Sequence, residues 1–206
     1  MHIDLTTSDS IPYEQWHRRL SPVTSWLSVS GDLDPDRRLG ATQLDGWDRA
    51  GVTDVLDVRG EWSDEERVAE RVPSMRYWHL PTHDNGGAQD DRWFAGGVAA
   101  AHAALEHPGA RLLVHCHMGV NRAPSMALRL LLDRGWDAVV ALDAIRAARP
   151  IAAVAYADDA VVHHHRSIGS TPEVTARDRR RVRQWHRANR IDTATVIRRI
   201  RRAEAA

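Results

Sequence analysis

Residues 111–125 read RLLVHCHMGVNRAPS, and the fold is decided by how this stretch is read. A short apolar run follows the turn-forming Pro108 and Gly109 and ends at Cys116, the pattern of a buried central strand. A five-residue loop containing Gly119 comes next. Arg122 then opens the helical run MALRLLL, which Gly135 closes. A thiol at a strand end, a glycine-bearing loop and a helix N-terminus make a cradle for an oxyanion. Successive loop N–H groups point inward, the helix terminus adds positive potential, and Arg122 offers a bidentate fork. The same surroundings predict a thiolate, since a cysteine at a helix N-terminus beside a cation falls from about 8.5 into the range of roughly 3.5–7.5.

His-Cys-x5-Arg, with Gly119 third after the cysteine, resembles the signature of the cysteine-dependent protein tyrosine phosphatase superfamily, most closely its dual-specificity branch. The similarity runs from about residue 26 to residue 168. Within it GVTDVLDV resembles the family's early strand, and Arg149-Pro150 the end of the helix after the signature. The resemblance implies an α/β fold: a central twisted mixed sheet of about five strands flanked by helices, here with a C-terminal helical extension. It also implies hydrolysis of phosphomonoesters, phosphotyrosine, phosphoserine or phosphothreonine in proteins, through a phosphocysteine intermediate and without a metal or organic cofactor.

In that resemblance Cys116 is the nucleophile. The backbone of His117, Met118, Gly119, Val120, Asn121 and Arg122, with the Arg122 side chain, binds phosphate oxygens, and His115 and Ser125 support the loop. An acid on an upstream loop is implied as well. Asp84 is the candidate, 32 residues before Cys116 and ten before Phe94; Asp90 and Asp91 are the alternatives, placed where acids serve as helix N-terminal partners. One position departs from the family pattern. Ala123 stands directly after the signature arginine, where members carry the Ser or Thr hydroxyl that assists breakdown of the phosphoenzyme.

Composition narrows the class further. The chain of 206 residues is 43% hydrophobic and 27% charged, with 28 basic residues, all Arg, balancing 28 acids, which suits one folded domain and argues against a nucleic-acid neutraliser. The single cysteine and the absence of a signal-like apolar stretch among the first twenty residues predict a reducing, cytoplasmic setting, and no window is apolar enough for a transmembrane segment.

Outward from the signature, strands are predicted at 26–30, 53–59 and 75–80, and helices at 43–50, 63–72, 92–107, 137–149 and 158–167. The organisation is an N-terminal extension over 1–24, the domain over 25–168 and a basic helical tail over 169–206. Residues 173–206 carry eleven Arg against four acids, a surplus of +7, so the tail either packs as an amphipathic helix pair or recruits an anionic partner.

Other features have plainer readings. His115 and His117 flank Cys116, but strand alternation sends the imidazoles one way and the thiol the other, against a metal site. The run of His163, His164 and His165 reads as a solvated helix face, and Arg59 as a surface partner of Glu61 or Glu65 in preference to a group reaching the active-site rim. The rival functions are a slow or non-catalytic phosphate-binding module and a rhodanese-like sulfurtransferase.

Overall fold

Strand β5 (Leu112–His115) lies between β2 (Leu27–Ser30) and β3 (Asp54–Arg59) and runs parallel to both. Strand β4 (Arg76–Thr82) continues the sheet in parallel beyond β3, and β1 (Ser21–Pro22) closes the opposite edge antiparallel to β2. The order is therefore β1-β2-β5-β3-β4, the five-stranded mixed sheet expected, with Cys116 just beyond the C-terminal end of its central strand. These relations come from a computed structural model, which describes residues 13–205; residues 1–12 of the N-terminal extension lie outside that range.

Alternation along the strands assigns the two faces. Leu112 and Val114 of β5, with Leu56 and Val58 of β3, belong to the larger core, under α3 (Asp91–Ala104), α4 (Arg122–Asp133), α5 (Ala138–Ala148) and α6 (Ala157–Ser167). Leu113 and Val55 face the other way, against Leu44 and Trp47 of α1 (Arg37–Arg49) and Val68 of α2 (Glu65–Arg71). Helix α4 is buried along most of its length, so the helix that begins at the cysteine loop is fixed on every side. A Cβ at Gly97 of α3 would lie 2.2 Å from Met126 Sδ, so glycine there lets α3 approach α4.

Helix boundaries follow their caps. Asp36 accepts hydrogen bonds from the N–H groups of Arg38 and Leu39, so α1 starts well before the apolar spacing at 43–50 suggests. Helix α2 starts at Glu65 rather than Ser63, whose Oγ accepts from Glu65 N. Asp137 caps α5 as predicted, Thr171 caps α7 (Pro172–Ala188), and Asp192 caps α8 (Thr193–Glu204).

Helices α7 and α8 are built into this body. Val182 and Trp185 of α7 join the larger core, and Trp185 Nε1 donates to Asp143 at 2.6 Å. Val196 and Ile200 of α8 are buried with Val120 and Ile151. Part of the basic surplus is paired: Arg179 and Arg183 with Asp158, and Arg181 with Asp137 and Asp178. No helix among the described residues is long and apolar enough to cross a membrane.

Two readings are corrected. His163 and His165 are buried rather than solvated: His163 Nδ1 accepts from Arg129 Nε at 2.8 Å, and His165 lies between Ser170 and Asp178. Arg59 is fully buried and pairs with Asp57 and Asp64 on the α1–α2 side of the sheet, because β3 is a fully buried internal strand whose side chains have no route to solvent.

Candidate active site

Four consecutive carbonyls decide the shape of the loop after Cys116. His117 O accepts from Asp32 N at 2.9 Å and Val120 O from Ala153 N at 2.7 Å. Met118 O and Gly119 O both accept from the Arg149 guanidinium, at 3.1 and 2.6 Å. With every carbonyl from 117 to 120 bound to the surrounding fold, the loop amides are left for the inner side, and those of Gly119 and Ala123 point at the Cys116 sulfur. Gly119 has φ +61°, and a Cβ there would meet Arg149 Nη2 at 2.3 Å and Ser30 O at 2.6 Å, so only glycine fits.

Arg149 is itself enclosed. It also donates to His17 O, Arg19 O and Ser21 Oγ, and with no carboxylate partner among the described residues burial pulls it down to about 10. Sequence reading placed Arg149 only at the end of a helix; the chain from 17 to 21 that completes its coordination lies some 130 residues away, beyond any local signal.

Cys116 is 2% exposed, and burial pushes its thiol above the ordinary value against the opposing pull of Arg122, the Ala123 and Gly119 amides, and Arg149. The expectation of a depressed value counted the amides and Arg122 and omitted desolvation, the largest effect at this depth.

Arg122, 4% exposed, uses its guanidinium on two sides. Nη1 donates to Glu61 Oε2 and Thr82 O at 2.7 and 2.9 Å, and Nη2 to Glu61 Oε1 at 2.6 Å. Among the described residues, Nε is buried without a hydrogen-bond partner. Of five N–H bonds, three are taken, and the two that remain, on Nε and Nη2, form the opposite edge of the fork. Glu61 was read only as a partner for Arg59; the contact with Arg122 spans 61 residues.

Asp84 lines the same cavity of about 430 Å³ as Cys116, Arg122, Asn121 and Glu61. Its Oδ1 accepts from Asn121 Nδ2 at 2.8 Å and from Tyr156 Oη at 2.5 Å, leaving Oδ2 without a side-chain donor among the described residues. Asp90 instead caps α3 through Arg92 N, and Asp91 pairs with Arg166, both away from the cavity. Tyr156 was not singled out in the sequence, being one tyrosine 72 residues from its partner.

The two supporting residues act by different means. Among the described residues neither ring nitrogen of His115 has a hydrogen-bond partner; the ring is fully buried near Trp47, Tyr77 and Asp57 and is held at about 4 by burial. It supports the strand end by packing rather than by bonding the loop. Ser125 Oγ donates to Asn121 Oδ1 and accepts from Tyr156 N, both at 3.3 Å, so it braces Asn121.

On the outer side of the loop, His117 Nε2 lies 3.1 Å from Glu204 Oε1 and 3.8 Å from Asp32 Oδ2. Three potential metal-ligand atoms thus fall within 4.8 Å of one another. Arg18 and Arg59 already stand 3.4–3.6 Å from the acidic side chains, and the contact of His117 with Glu204 ties the loop to α8.

No family model matches the chain. Dual specificity protein phosphatase 26 of Bos taurus is 32% identical over 85 residues, which are 41% of this chain and 40% of that protein. The match therefore spans about two fifths of the curated relative's length. Human DUSP28 superposes with a TM-score of 0.57 and 21% identity, covering 71% of this chain and 93% of its own. A mouse putative dual specificity phosphatase complexed with zinc tungstate gives a TM-score of 0.60 and 21% identity, covering 78% and 92%. Both share the fold.

Proposed function

We infer that this chain, a member of the cysteine-dependent phosphatase superfamily with a dual-specificity-like fold, hydrolyses phosphomonoesters of proteins through a phosphocysteine intermediate. The observation that carries this reading is the cradle: outward-bound carbonyls from 117 to 120, amides turned to the sulfur, and a free Nε–Nη2 edge on Arg122. Those donors surround the place where three equatorial phosphoryl oxygens would sit.

The Cys116 thiol first loses its proton to solvent. Its sulfur attacks phosphorus, the P–O ester bond breaks, and Asp84 delivers a proton from Oδ2 to the departing oxygen. The Asp84 carboxylate then takes a proton from water, whose oxygen attacks phosphorus as the P–S bond breaks and thiolate leaves. Inorganic phosphate and Cys116 are regenerated. Asn121 and Tyr156 hold Oδ1, which aims the other carboxyl oxygen. The apolar side chains of Met118, Val120 and Ala153 line the cavity beside the loop and suit an aryl leaving group such as the phenol of phosphotyrosine.

The deciding experiment is phosphate release from p-nitrophenyl phosphate by wild type and Cys116→Ser. Turnover in wild type and its loss in the variant support the reading. Comparable turnover in both would overturn it. Phosphate binding by a wild-type protein without turnover would favour the phosphate-binding module, which rests on Ala123 lacking the family hydroxyl.

A further inference from the structure

Helix α8 presents two adjacent stripes at four-residue spacing. Val196 and Ile200 are seated against Val120 and Ile151, and Glu204, one turn on, bonds His117 beside the nucleophile. The neighbouring stripe, Thr193, Ile197 and Arg201, lines the catalytic cavity. The element read as a basic appendage is thus one wall of the site, fastened at the end nearest the cysteine loop.

Arg201 is exposed and, among the described residues, its guanidinium has no hydrogen bond or ion pair, unlike Arg177, Arg179, Arg181 and Arg183 of α7. The two acids that share its cavity are engaged elsewhere: Glu61 with Arg122, Asp84 with Asn121 and Tyr156. The cavity wall therefore carries an uncompensated cation on a rigid helix, in addition to the one in the cradle. Resting on the phosphatase reading, we propose that Arg201 forms an anion subsite at the rim and selects phosphopeptides bearing a second negative group beside the phosphotyrosine.

The second anion could be an acidic side chain or another phosphate. A rim-exposed charge pair gives a preference of about fivefold, declining as salt screens it. The test compares kcat/KM of the full chain on phosphotyrosyl peptides whose neighbouring residue is neutral, acidic or phosphorylated. Wild type should favour the anionic peptides about fivefold, mainly through KM. Arg201→Ala should bring the ratio near one, Arg201→Glu should invert it, and Arg201→Lys should retain part of it. A merely structural role for α8 would lower all three peptides alike and leave the ratio unchanged. A gain for only one anionic peptide identifies the source. The same peptides bound to Cys116→Ser, with and without Arg201→Ala, read the subsite without turnover, so an inert wild type would defeat the phosphatase reading alone. Equal affinity for neutral and anionic peptides, or a preference that survives Arg201→Ala, overturns the subsite. Selection of soluble inositol bisphosphate over every peptide would overturn it as well.

Discussion

Glu61 holds Arg122 by both terminal nitrogens, at 2.6 and 2.7 Å, from a loop 61 residues upstream. The carboxylate occupies one edge of the guanidinium and, with Thr82 O, sets the plane in which the other edge faces the cysteine loop. Arg122 in turn pulls Glu61 below the usual carboxylate range, although partial burial opposes that pull.

Removing this grip should act on phosphate binding before it acts on folding. Glu61→Ala is expected to weaken competitive inhibition by inorganic phosphate about tenfold, with Glu61→Gln intermediate because one acceptor remains. The side chain is 34% exposed, so thermal stability should change little. An unaltered phosphate inhibition constant in Glu61→Ala would show that the loop alone orients Arg122.

Asp84→Asn should lower kcat by roughly 10²–10⁴-fold, least for substrates with good leaving groups. Tyr156→Phe removes one of two donors to Oδ1 and should cause a smaller loss with the same leaving-group trend. Asp90→Ala should instead cost about 1 kcal/mol of stability as a lost helix cap, measurable by urea unfolding. A larger kcat loss in Asp90→Asn than in Asp84→Asn would relocate the acid.

Ala123 leaves the leaving sulfur without the adjacent hydroxyl, and Ser125 is committed to Asn121 and Tyr156 N. Rapid mixing should show a burst of leaving group followed by a slower steady state, with Ala123→Ser speeding the slow phase. A linear trace from the first turnover, unchanged in Ala123→Ser, would place the slow step elsewhere.

Two buried histidines make the protein sensitive to acid. Burial holds His115 at about 4 and His17 at about 3, below the ordinary 6.5; Arg18 and Arg149 add to the effect at His17, while Asp57 opposes it at His115. The unfolded chain therefore binds more protons below pH 6.5, and stability falls as pH drops from 6.5 toward 4. Asp32 works oppositely: burial raises it to about 8, so its contribution is greatest below 3.8 and is lost as pH rises to about 8. Over pH 4–6.5 two histidines outweigh one aspartate. Urea midpoints should fall between pH 7 and 5, and His115→Leu should flatten that slope by about 1.4 kcal/mol per pH unit. A His115→Leu slope identical to wild type would remove this account.

Four of the five strands, the central one among them, and the cysteine loop are legible in the sequence because each depends on neighbours in the chain, whereas the strand order depends on long-range pairing. The apolar run of residues 112–115 and the helix beginning at Arg122 are local consequences of steric and hydrogen-bonding rules. The caps at Asp137, Thr171 and Asp192 were legible for the same reason. Tertiary structure alone decided who completes that loop. Glu61 on Arg122, Tyr156 on Asp84, Arg149 on the loop carbonyls and Arg201 on the cavity wall come together only when distant segments pack. Their charges look like ordinary surface residues until burial removes water and leaves each group to find a partner within hydrogen-bond reach.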